Sequence, residues 1–228
     1  MTSRQDRKRV RKAPEERRQE IVAAAARIGL TEGLERITLR RVADDLGVRS
    51  GLVGHYFPTA EDLVTEAFTS AAAGELDALL PETAGDRSRG SAVRVLQNFL
   101  ARLSGPVFDD VSRLWLNARH LSRYRPVLNE GVVRQELLWC RRVEQVIAAG
   151  VAQGSFRCED PWEAAVRVIA VLDGVNSYTN TSAQQRSAPL IDMVRTFTEA
   201  ELGLPRDALL PHGPAADGSD REPRPADR

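Results

Sequence analysis

Thr38–Leu63 reads TLRRVADDLGVRSGLVGHYFPTAEDL, and the spacing inside it decides the fold. Leu39, Val42, Ala43 and Leu46 recur at i, i+3, i+4 and i+7, the period of one helical stripe. Thr38 precedes that stripe, where a hydroxyl caps free backbone N–H groups. Gly47 follows it, the residue that most easily takes the left-handed conformation at a helix end. Val48, Leu52, Val53 and Tyr56 then give a second short helix its buried side, leaving Arg49, Ser50, Gly51, Gly54 and His55 on the other. Two short helices around a glycine turn, the second with a low polar face, suit the DNA major groove.

The charge distribution agrees with this. The 228 residues carry 32 basic and 32 acidic side chains, a net of zero, but they are unevenly placed. Residues 1–57 hold 13 Lys and Arg against 8 Asp and Glu, so a basic head sits on an acidic body. All but two of the basic residues are arginine, the exceptions being Lys8 and Lys12.

Outward from the opening stretch, every periodic segment is helical and none alternates as a strand. Residues 1–13 read as a flexible basic arm. Pro14, Glu15 and Glu16 open a helix with the stripe Ile21, Ala24, Ala25 and Ile28, ended by Gly33. Thr59 and Asp62 form a capping-box-like start to a fourth helix that runs towards Leu80. Later stripes are Ala92–Leu103, Val111–Leu121, Val133–Val151, Trp162–Ile169 and a last helix near Pro189–Leu202, with Val133, Leu137, Cys140 and Val166 placed on buried faces. The expectation is an all-α chain of about nine helices. Residues 14–58 form a helix-turn-helix domain, 59–204 a helical body and 205–228 a disordered tail.

Composition excludes several classes. No apolar run reaches membrane-spanning length and no secretory signal is visible, so a cytoplasmic location is expected. Cys140 and Cys158 have no Cys or His companions at metal spacing, and neither a metal nor another cofactor is expected. A glycine-rich phosphate loop, a metalloprotease motif and a nucleophile paired with His are all missing, which argues against an enzyme. A DNA binder that answers to no ligand remains as an alternative.

The residues Ile21, Ala25, Gly33, Thr38, Val42, Ala43, Gly47, Val48, Gly51, His55, Tyr56, Phe57 and Leu63 resemble the TetR family of transcriptional regulators. Within that family, GLVGHYF (Gly51–Phe57) and Leu172-Asp173-Gly174-Val175 resemble the choline-responsive, BetI-like subgroup. The resemblance implies a homodimer on a palindromic duplex operator, most often a repressor, with a small-molecule effector in the body changing the spacing of the two heads. It implies that Thr38, Arg40, Arg49, Ser50, Gly51, Gly54, His55 and Tyr56 face DNA, and that Thr59 starts a helix whose free N–H groups meet a phosphate. Three positions depart from the family pattern. Arg49 replaces a usual Ser, which moves the expected cap to Ser50. Gly54 replaces a common Tyr, and Ala60 a frequent Lys, thinning the contacts that the basic arm then restores.

Six residues of the body are candidate effector contacts. Trp115 lies in its helix's apolar stripe, as core or as cavity wall. Asn117 and Arg119 flank that stripe, within reach of a cavity or of an interface, whereas His120 is on the opposite face and is not expected to contact a ligand. Trp139 anchors either a pocket or an interface. Asp173 and Asn176 fall in phase with Trp162, and polar groups so placed need a partner in a ligand, a dimer mate or the chain itself. Tyr178 is similarly placed. Aromatics beside Asp173 would suit an amine or quaternary ammonium, with an apolar ligand equally compatible. Gly174, on the helix before the last, would let a dimer mate approach closely.

Overall fold

The computed structural model describes residues 13–82, 91–103, 106–181 and 188–210. These form nine α-helices and a short 3-10 turn, with no strand among them. The head comprises α1 (Pro14–Glu32), the 3-10 turn (Leu34–Arg36), α2 (Leu39–Leu46) and α3 (Ser50–Tyr56). The body comprises α4 (Ala60–Leu79), α5 (Ala92–Ala101), α6 (Pro106–Ser122), α7 (Pro126–Ala152), α8 (Pro161–Thr181) and α9 (Ala188–Glu201). No described helix is long and apolar enough to cross a membrane.

The signals at Thr38, Gly47 and Thr59 operate as their chemistry predicts. The Thr38 hydroxyl accepts from the Arg41 N–H at 3.0 Å, and Gly47 takes φ 62°, ψ 35°, with the Val48 N–H returning to the Ala43 carbonyl at 2.9 Å. Thr59 caps α4 by accepting from the Asp62 N–H at 3.1 Å while donating to the Asp62 carboxylate at 2.7 Å. The cap expected at Ser50 is not formed. Arg49 occupies the N-cap in extended conformation, so α3 starts at Ser50 and its hydroxyl is already inside the first turn.

Head and body share one core. Ile21, Phe57, Leu63 and Phe68 are fully buried where α1 packs on α4, each contributing about 1.5–3 kcal/mol of burial. Arg18 of α1 also bridges to Glu66 of α4 with its guanidinium over the Phe57 ring. A half-exposed pair of that kind adds roughly 0–1 kcal/mol, so apolar packing dominates this joint.

Two buried stripes differ in phase from expectation. On α7 the inner face runs Leu128, Val132, Gln135, Trp139, Val143, Val146, while Val133 and Leu137 face outward. On α8, Ala164, Ala165, Val168, Leu172 and Val175 turn inward and Val166 is exposed. Both helices carry apolar residues on more than one face, so the stripe is not unique in the sequence. Residues 205–210, expected as part of the tail, pack as a turn: Leu209 is fully buried and its N–H donates to Glu199 at 2.9 Å. The arm at 1–12 and residues 211–228 lie outside the described residues.

Candidate functional site

The surface of α2 and α3 presents the first group of candidates. Thr38, Arg40, Arg49, Ser50, Gly51, His55 and Thr59 are exposed, and Gly54 and Tyr56 are half-buried. Arg40 is 88% exposed along its side chain, with Asp44 3.9 Å away, and is therefore available to a phosphate or base edge. Its neighbour Arg41 is engaged instead by Glu32 at 2.5 Å. Gly54 faces Leu39: a methyl group there would lie 3.9 Å from the leucine, an ordinary contact, so the glycine is not demanded by packing. At the start of α4 the Thr59 hydroxyl is committed to its own helix, and Glu61 and Asp62 put carboxylates into the first turn. Any phosphate reaching those N–H groups does so against that negative charge.

The second group converges inside the body. Trp115 and Arg119 of α6, Trp139 of α7, and Asp173 and Asn176 of α8 line one small cavity of about 30 Å3. Arg119 is the basic residue of its lining. Its Nε donates to Glu136 at 2.8 Å and its terminal nitrogen to Asp173 at 2.6 Å, while its guanidinium carbon sits 5.0 Å from the Trp115 ring centre. Trp115 is held by its Nε1–H on Glu75 at 3.0 Å and by an edge contact with Phe68. Trp139 is 6% exposed, and its buried Nε1–H has no acceptor among the described residues.

Asn117 is not part of this cavity. Its amide oxygen accepts from the Leu34 N–H at 2.8 Å and its amide nitrogen donates to Glu35 at 2.9 Å, so it joins α6 to the 3-10 turn of the head. The exposed His120 packs edge-on against Tyr124, also away from the cavity.

Glu75, Ser112 and Glu136 line the cavity and were missed in the sequence. Glu75 was findable: it stands seven residues after Phe68 on α4, one repeat along the buried stripe. Burial pushes the Glu75 carboxyl up to about 7, opposed by the Trp115 hydrogen bond and reinforced by Asp173. Burial also raises Asp173, with Arg119 opposing. A second cavity of about 470 Å3 shares Glu75 and Phe108 with the first and is walled mainly by apolar side chains such as Leu30, Leu79 and Val111.

A helix-turn-helix head carried on an all-helical body with a partly open cavity is an arrangement suited to a DNA-binding regulator. Residues 91–203 match the family model of the BetI-type transcriptional repressor C-terminal domain. The chain belongs to the TetR family of transcriptional regulators. No protein of curated function matches its sequence significantly. Among solved structures it is similar to a candidate transcriptional regulator from Saccharomonospora viridis in complex with choline, at 22% identity over 82% of this chain and 95% of that one, TM-score 0.66. It is also similar to a TetR transcription regulator from Haloarcula marismortui, at 18% identity over 83% and 97%, TM-score 0.64. NemR of E. coli in its reduced form superposes with TM-score 0.65 at 15% identity, over 83% and 98%. At these identities the likeness is one of fold.

Proposed function

We propose that this chain is a ligand-responsive repressor that binds a palindromic operator as a homodimer and leaves it when a small molecule occupies the body. The observation that carries this reading is the course of α6. Trp115 and Arg119 on that helix line the cavity, while Asn117 between them holds the head through Leu34 and Glu35. A ligand that shifts α6 therefore acts on the head through hydrogen bonds two residues from its own contacts, and it favours whichever head spacing it binds more tightly.

Thr38, Arg40, Arg49, Ser50, Gly51, Gly54, His55, Tyr56 and Thr59 are assigned to DNA, and Trp115, Arg119, Trp139, Asp173 and Asn176 to the effector. The dimer is assigned to α8 and α9. In support, Val166, Tyr178 and Met193 expose apolar surface there, and Gly174 is exposed with open space beside it. Gly174→Trp is expected to give monomers in light scattering; persistent dimers reject the placement.

The reading as a whole is tested by selecting a duplex from random sequence, measuring its affinity, and repeating with every compound that raises the protein's melting temperature. Release by at least one compound is expected. Tight operator binding that no bound compound alters would indicate a constitutive DNA binder.

A further inference from the structure

The body cavity is already occupied by a cation, and that cation belongs to the protein. Arg119 spans Glu136 and Asp173 and lies over the face of Trp115, leaving about 30 Å3 free. Three acidic side chains line the cavity against the single guanidinium of Arg119: Glu136 and Asp173, whose carboxylates accept from it, and Glu75, which holds its proton up to about pH 7. The lining thus favours a further positive charge or a replacement for the one present. Trp139, another residue of the lining, carries a buried Nε1–H without an acceptor among the described residues. A group of that kind gains when a ligand brings an oxygen to it.

We propose that the effector is an organic cation bearing N–H donors, a protonated amine, amidine or guanidine, that takes the place of the Arg119 guanidinium between Glu136, Asp173 and Trp115 and offers an oxygen to Trp139. The assignment rests on the cavity being the effector site. The donor requirement follows from the partners: Glu136 and Asp173 each accept an N–H from Arg119, at 2.8 and 2.6 Å. A cation without N–H groups keeps the attraction to the ring but leaves those acceptors without donors. An anion meets the carboxylates of Glu136 and Asp173. The larger neighbouring cavity shares Glu75 and Phe108 with this one, and its mainly apolar wall suits an apolar extension of the ligand.

Four matched probes test this: 4-guanidinobutanol, 4-aminobutanol, (4-hydroxybutyl)trimethylammonium and 4-hydroxybutyrate, titrated by calorimetry into the intact chain. The guanidine and amine are expected to bind, the trimethylammonium compound at least about tenfold more weakly, and the carboxylate not at all. Arg119→Ala removes the internal competitor and is expected to tighten the guanidine by about tenfold or more. Asp173→Asn is expected to weaken it by a similar factor. Circular dichroism and melting curves establish that each variant is folded, and Arg119→Met, which keeps the aliphatic stem, serves if the alanine variant is not.

Several results overturn the assignment. One is carboxylate binding that is lost in Arg119→Ala, which would make the arginine an anion anchor. Another is trimethylammonium binding as tight as the guanidine. A third is no binding by any probe to the wild type or either arginine variant. The same samples are titrated with operator duplex. A chain that binds operator and releases it to an anionic or neutral compound keeps the regulatory reading and loses this one. A chain that binds the cations but no duplex does the reverse.

Discussion

The amide of Asn117 accepts from the Leu34 N–H at 2.8 Å and reaches Glu35 with its other end at 2.9 Å, tying the middle of α6 to the turn between α1 and α2. Gly33, at φ 98°, shapes that turn, and a methyl group added there would lie 3.1 Å from Glu35 and 3.9 Å from the Asn117 oxygen. Removing the amide leaves a partly buried backbone donor unpaired. Asn117→Ala is expected to cost about 1–2 kcal/mol in urea unfolding. Effector binding should persist in this variant while operator release is blunted, read by fluorescence anisotropy with and without ligand. An unchanged release curve would place the coupling elsewhere.

Glu75 gives stability a pH dependence whose sign follows from its raised pKa of about 7, against an ordinary 4.5. Below 4.5 the carboxyl is protonated in both folded and unfolded chains. Between 4.5 and 7 only the folded chain keeps the proton, so stability falls as pH rises through that window and levels off above it. The loss attributable to this group is at most about 3 kcal/mol. Glu75→Gln keeps an acceptor for Trp115, should match wild type near pH 4.5, and should melt higher at pH 8.

Gly150 is required by packing, because a methyl group there would lie 2.0 Å from the ring of Phe156, itself buried. Gly150→Ala is expected to destabilise the body by about 1–3 kcal/mol. Phe156→Leu in the same background should recover part of it, since the overlap is with the ring edge.

Operator affinity should carry the signature of phosphate contacts. Arg49→Ala is expected to reduce the slope of log affinity against log salt by about 1. Deleting residues 2–12, which include Arg4, Arg7, Lys8, Arg9, Arg11 and Lys12, should flatten it further. A slope unchanged by the deletion would show that the arm does not compensate for the thin contacts of Gly54 and Ala60.

The head was legible because its boundaries are set by local chemistry. A hydroxyl at Thr38, a glycine at Gly47 and a hydroxyl–carboxylate pair at Thr59 and Asp62 act within a few residues of themselves. Arg49 at the α3 cap broke the expected pattern because the turn, rather than the best capping side chain, chose where the helix began. The body was less legible because its decisive contacts are long-range. Glu136 faces the cavity through Arg119, 17 residues away, and Asn117 meets Leu34 across 83 residues, distances over which periodicity carries no information. The exposed faces of α7 and α8 misled for a related reason: apolar residues reserved for a surface look the same in sequence as those of a core.

The central claim is a paired, ligand-gated reader of DNA, and sedimentation of the chain with its selected duplex tests it most directly. The account predicts two chains per palindromic duplex, binding to an isolated half-site at least about a hundredfold weaker, and recovery of free duplex when 4-guanidinobutanol is added. One chain per duplex with equal half-site affinity, or a complex that persists whatever ligand the body holds, would contradict it.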